Sequence, residues 1–142
     1  MEIYDSLLGA VCDEYDRVTL IKKSERGEVT LIRHRASGNR YIFRHFSGSS
    51  EVYRKLLTVS CPNLPQIMEW GKRGKNSSLE EYVQGDTLGE ILQGGLLTVA
   101  QAKQITASCA WLCGCFIPWE LYDRDVKPDN VIIREPKRFY RF

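Results

Sequence analysis

Apolar and polar positions alternate through the first third of the chain in three runs. These are Val18-Thr19-Leu20-Ile21, Glu28-Val29-Thr30-Leu31-Ile32-Arg33-His34 and Arg40-Tyr41-Ile42-Phe43-Arg44-His45-Phe46, all rich in β-branched and aromatic residues. Polar stretches, Lys22 to Gly27 and Ala36 to Asn39, separate them. Such runs, divided by Gly, Asn and Ser, predict an antiparallel meander. Ser47-Gly48-Ser49-Ser50 then offers an N-cap for a short helix from about Glu51 to Val59, with Val52, Leu56 and Val59 on one face. Pro62 and Pro65 end it. Two more strands are expected around Gln66 to Trp70 and Ser77 to Val83. The basic segment between them, Gly71 to Asn76, reads as a solvated hairpin tip.

After Gly85 the period changes. A short helix is expected from about Leu88 to Gln93, and a longer one from Thr98, where Thr98 and Gln101 have the spacing of a capping box. Val99, Ala102, Ile105, Cys109 and Leu112 fall on one face of that helix. The predicted order is three strands, a helix, two strands, a linker and helices, then a polar loop that runs into a last apolar strand.

Composition changes this picture little. At 142 residues, 43% hydrophobic and 27% charged, the chain has the make-up of a globular domain. A net charge of +2 gives no bulk attraction to nucleic acid or to a membrane surface. The basic residues Arg134, Lys137, Arg138 and Arg141 read as a solvated tail, so no nucleic-acid partner is expected. No apolar run approaches the roughly 20 residues of a membrane span. The opening Met1-Glu2-Ile3-Tyr4-Asp5 lacks a signal peptide's layout, and a cytoplasmic location is expected. Five cysteines, an odd number, argue against a disulfide framework. Cys109, Cys113 and Cys115 read as small buried thiols on a helix, not as a zinc site, because paired ligands from a second place are missing.

The polar loop carries the chemistry. Asp123-Arg124-Asp125-Val126-Lys127-Pro128-Asp129-Asn130 leads into Val131-Ile132-Ile133. An Arg-Asp pair, a Lys-Pro, and an Asn five positions after the Asp resemble the catalytic loop of protein serine/threonine kinases. The resemblance implies a catalytic base at Asp125, a γ-phosphate contact at Lys127 and a Mg²⁺ ligand at Asn130. Asp123 stands where that family has His, which puts a second carboxylate beside Arg124.

Upstream segments resemble the same family in the same order. Lys22-Lys23-Ser24-Glu25-Arg26-Gly27-Glu28-Val29 occupies the window of the phosphate-covering loop and keeps only its last Gly, so Gly27 and Val29 are carried over as nucleotide contacts. Ile42-Phe43-Arg44 resembles Ala-x-Lys, with Arg44 in place of the lysine that meets the α- and β-phosphates. A planar guanidinium does not replace an ammonium neutrally. Glu51 is the candidate helix partner of Arg44, with Val52 competing for that slot. Glu81-Tyr82-Val83-Gln84-Gly85 resembles the hinge, whose backbone at Glu81 and Val83 would bond adenine. Ile42 and Ile132 would sandwich the base together with Val29.

The resemblance implies an α+β, protein kinase-like fold: a five-stranded antiparallel N-lobe with one helix over residues 1–85, and a truncated helical C-lobe over 86–142. It implies ATP and Mg²⁺ as cofactors and a protein substrate or partner. Arg134 to Phe142 contains no second metal-binding Asp and no activation segment, so the chain alone is expected to be inactive. The alternative is a pseudokinase or interaction module that binds a nucleotide or a partner without turnover. Two stretches, Cys115 to Tyr122 and Phe139 to Phe142, are foreign to the family pattern. Permitted codons for them, read in another frame, can spell Val-Leu-His-Ser-Leu-Gly-Ala-Val and, with a TGA stop following Phe142, Phe-Ile-Asp-Phe-Asp, which resemble the family's segments. The nucleotide sequence of the gene is expected to encode those residues in a shifted frame; a gene that encodes neither ends the idea.

Overall fold

The structure is a computed structural model that describes residues 13–59, 61–73, 75–116, 127–134 and 138–141. The chain divides into two compact units, Met1–Val59 with Gln66–Tyr82, and Ser60–Pro65 with Val83–Phe142.

The first unit is one antiparallel sheet. Its strands are β1 (Tyr15–Ser24), β2 (Gly27–His34), β3 (Arg40–Phe46), β4 (Ile67–Arg73) and β5 (Lys75–Glu81), in spatial order β1-β2-β3-β5-β4. A short helix, α1 (Glu51–Leu56), connects β3 to β4. Side chains alternate across a strand, so the registers sort the sheet into two faces. One holds Ile32, Phe43 and Leu79 as a buried cluster, with Tyr15 and Tyr41 packed edge-on at 5.8 Å. The other holds Val29, Leu31 and Ile42, with Tyr82 against them.

The expected strands are present; β1, β2 and β4 run longer, β3 keeps its expected limits, and β5 begins and ends two residues earlier than expected. The hairpin joining β4 to β5 is much tighter than a turn over Gly71 to Asn76, because both strands continue into that segment. Asn76 is not at a solvated tip. It is 1% exposed, and its side-chain amide donates to the Gly48 carbonyl at 2.8 Å, tying the turn before α1 to the sheet. Helix α1 is shorter than expected, and Val52 is exposed.

The β1–β2 turn is also tight. Ser24 pairs with Gly27, so only Glu25 and Arg26 form the loop. The Arg26 carbonyl accepts from the Ser47 amide at 2.8 Å, which fastens the loop to the end of β3. Gly27 sits so close to β3 that a Cβ there would collide with the His45 carbonyl and lie 2.8 Å from the Phe46 Cα.

The second unit contains α2 (Leu88–Gln93), α3 (Val99–Phe116) and a small antiparallel sheet of β6 (Asp86–Thr87), β7 (Val131–Arg134) and β8 (Arg138–Arg141). Both helices open on capping boxes. At α2, the Thr87 hydroxyl accepts from Glu90 N at 3.1 Å and the Glu90 carboxylate accepts from Thr87 N at 2.9 Å. Thr98 and Gln101 do the same at α3, at 3.1 and 2.9 Å. The core is Leu88, Ile105 and Val131, with Leu97, Cys109 and Ile133 packed against it. Leu112 and Phe116 are buried further along α3. Val99 is 71% exposed and Ala102 is exposed too, against expectation. Leu97, just before the helix, packs against the core that the first turn of α3 does not reach. No helix among the described residues is long and apolar enough to cross a membrane.

Overpacking a backbone contact that cannot relax costs about 1–3 kcal/mol. Gly27→Ala is therefore expected to lower the unfolding free energy by about that amount in a urea titration. An unchanged midpoint would show that β2 and β3 can separate there at no cost.

Candidate functional site

The candidate residues fall in both units. On the first unit's sheet, Val29, Arg44 and Ser78 form one cross-strand row, and Leu31, Ile42 and Glu80 form the next. The two rows share a face. Val29, Leu31 and Ile42 make a buried aliphatic patch, with Ile42 fully buried and Arg44 in the adjoining row.

Arg44 is not paired with helix α1. Its Nε and Nη2 donate to the two carboxylate oxygens of Glu80, each at 3.3 Å. Ser78 Oγ donates to the same carboxylate at 3.2 Å. Glu80 is 7% exposed, so this ion pair is largely shielded from water. Burial alone would push the Arg44 guanidinium down, but the charge of Glu80, the neighbouring Tyr53 phenol and the Glu80 hydrogen bonds hold it above its ordinary value. The expected Arg44–Glu51 pairing is corrected by this geometry. Glu51 is the first residue of α1, its side chain is 73% exposed, and it pairs with Lys55 one turn on at 3.3 Å.

The α1 residue that does face the ion pair is Tyr53. Its ring lies 4.7 Å from that of Phe46, at the end of β3. Its phenol is pushed up to about 12, chiefly by burial, with Arg44 opposing and Glu80 adding to the shift.

Glu25 and Arg26 form a closed two-residue turn, and the bareness of Gly27 is used by β3. At the other end of the sheet, the Glu81 amide donates to the Gln66 carbonyl at 2.8 Å, and its carboxylate accepts from Gln66 N at 3.1 Å. That amide is committed to the approach to β4.

In the second unit, Val83 and Ile132 are buried against each other. Gly85 lies under β7, where a Cβ would strike the Ile133 carbonyl. Pro128–Asn130 form a 3-10 turn, with Lys127 as its extended N-cap and the Asn130 amide donating to the Lys127 carbonyl at 2.9 Å. Pro at the first turn position suits its fixed φ and missing N–H. Asp129 turns its carboxylate onto Gly89, in the first turn of α2, where any Cβ would displace it. A carboxylate is favoured at a helix N-terminus, and this proximity sets Asp129 beside the start of α2. Lys127 is exposed and Asn130 half-buried. Asp125 lies outside the described residues.

Sequence reasoning missed Glu80, Ser78 and Tyr53. The signal for Glu80 was present as a charged residue within an otherwise buried strand, next to the hinge-like segment.

No protein-family model matches the chain, and no curated protein matches it. Among solved structures, the crystal structure of Rad53 1–466 in complex with AMP-PNP is similar, with a TM-score of 0.79 over 92% of this chain at 16% identity. This chain spans 38% of that one. The fold is therefore protein kinase-like, with the five-stranded antiparallel sheet of an N-lobe.

The Tyr53 shift has a pH consequence. An unfolded phenol titrates near 10. The folded chain holds the proton up to about 12, so this contribution to stability is whole below about pH 10 and is lost as pH rises through about 12. Urea midpoints measured across that window are expected to fall less steeply for Tyr53→Phe than for the parent chain. Parallel curves would remove Tyr53 from the account.

Proposed function

We propose that this chain is a nucleotide-binding domain of the protein serine/threonine kinase type, which takes ATP with Mg²⁺ and by itself turns it over negligibly. The observation that carries this reading is the aliphatic patch of Val29, Leu31 and Ile42 beside a cationic Arg44, in a protein kinase-like fold. AMP-PNP, an ATP-like molecule, is bound in the similar Rad53 structure. In this reading Val29 and Ile42 pack on the base, and the backbone of the Glu81–Val83 segment bonds its edge. Gly27 lies on the phosphate side of the patch. Arg44 and Lys127 meet phosphates, and Asp125 takes the proton of a protein hydroxyl. Asn130 supplies one oxygen to Mg²⁺, which would neutralise phosphate charge. Ile132 belongs to the base-binding set through its packing on Val83.

The lack of turnover follows from ligand number. Magnesium prefers several oxygen ligands in near-octahedral geometry. Asn130 offers one, and the Asp129 carboxylate lies against Gly89 of α2. A second reading, a pseudokinase or interaction module without catalytic function, is favoured by one observation. Arg44 is held by a buried carboxylate through two hydrogen bonds.

ATP with Mg²⁺ is expected to raise the melting temperature by several degrees once it greatly exceeds its Kd. Transfer of labelled γ-phosphate to a generic Ser/Thr protein substrate is expected to stay at background. Absence of any shift at millimolar ATP would sink nucleotide binding. Transfer that disappears in Asp125→Ala would sink the claim of negligible turnover.

A further inference from the structure

We propose that Glu80 is an internal lock on Arg44, withholding the guanidinium from a nucleotide's phosphates until the pair opens. The inference rests on the nucleotide-binding reading above and adds a specificity-determining residue to it.

Three observations carry the lock. The first is direction. Arg44 belongs to the row of Val29 and Ser78, whereas Glu80 belongs to the row of Leu31 and Ile42. The pair is diagonal, so it draws the guanidinium toward the Ile42 row. That is away from Gly27, which pairs with Phe46 two positions beyond Arg44. The second is engagement. Glu80 accepts two hydrogen bonds from Arg44 and one from Ser78. Two of the guanidinium's five N–H donors are thereby committed. The third is burial. Glu80 is 7% exposed, and an ion pair shielded from water is costly to open, because the carboxylate left behind loses its partner. A phosphate must therefore compete with a resident anion. Tyr53, the α1 side chain nearest the pair, brings no charge that could take the place of either partner. Glu51 plays no part in the lock; it faces solvent with Lys55.

The lock makes a specific pattern in ligand preference. Adenosine has the base and no phosphates, so its affinity reports the aliphatic patch alone. ATP adds whatever the phosphates gain. In the parent chain, measured by calorimetry, the ATP-to-adenosine affinity ratio gives the reference, to which a withheld guanidinium adds less than one ordinary hydrogen bond beyond what Lys127 and Mg²⁺ contribute. Glu80→Gln keeps the side chain's shape and removes its charge. It is expected to raise the ATP-to-adenosine affinity ratio about tenfold, the gain of one charge-assisted hydrogen bond to phosphate. Adding Arg44→Met to Glu80→Gln is expected to abolish that gain. Glu51→Gln is expected to leave the ratio where it is.

If Glu80→Gln purifies poorly, Ser78→Ala tests the same point, because it removes one of the three hydrogen bonds that hold Glu80. It is expected to raise the ratio by a smaller factor. A parent chain that already prefers ATP strongly and loses the preference in Arg44→Met overturns the lock. So does a ratio that falls or stays fixed in both Glu80→Gln and Ser78→Ala. Failure of every variant to bind either ligand instead overturns the nucleotide reading, and the lock with it.

Discussion

Strand β3 is the constraint on which the first unit rests. It is paired on both sides, with β2 and with β5, and its seven residues serve two faces at once. Tyr41 and Phe43 belong to one core and Ile42 to the other, while Arg44 extends the second face into an ionic pair. A shift of one position would exchange these sets and bury Arg44 in the aromatic core. The tight β1–β2 hairpin, the closure of Gly27 on His45 and Phe46, and the bond from Asn76 to Gly48 all fix strands to this register.

The Arg44–Glu80 pair follows from that register and not from any local rule. Residues 36 apart in sequence become diagonal neighbours only once β3 and β5 align. A buried pair of this kind is weak evidence for net stability, because its desolvation penalty offsets much of the attraction. Its meaning lies in what it prevents. A guanidinium held by a carboxylate of the same sheet has no need of the helix, and α1 contributes a phenol where a strand–helix ion pair was expected.

Much of the architecture was legible in the sequence. The alternating runs before Phe46 gave the three-stranded meander, and the Thr98–Gln101 spacing gave the start of α3 with its box. Such features depend on neighbours within a few residues. Helical spacing also marked Ile105 and Leu112, which are buried. It failed at Val99, because periodicity states which face is apolar and not how far along the helix the partner extends. Glu51 was misread as the partner of Arg44 for a similar reason. Proximity to a helix start can be read from letters, but which side chain turns to the sheet depends on helix phase, and that favoured Tyr53. The Gly71–Asn76 segment looked polar enough to be solvated, yet Asn76 is buried because its amide satisfies a backbone carbonyl from another segment. In the second unit the Lys-Pro-Asp-Asn letters predicted a loop. Its docking through Asp129 onto Gly89 was not visible, since it depends on a glycine 40 positions away.

One further consequence lies at the sheet margin. Strand β1 is an edge strand that leaves Val18, Leu20 and Ile21 half-bare to solvent, which is the profile of a template for intermolecular β-pairing. Its register slips twice, between Arg17 and Thr19 and between Leu20 and Lys22. Each slip puts the free donors and acceptors of the outer rim out of step with a regular incoming strand. Lys22 adds a charge along this margin, while the neighbouring Lys23 ammonium is paired with Glu28 at 2.9 Å. The irregular margin thus guards against fibrillar stacking while leaving the interior ladder intact.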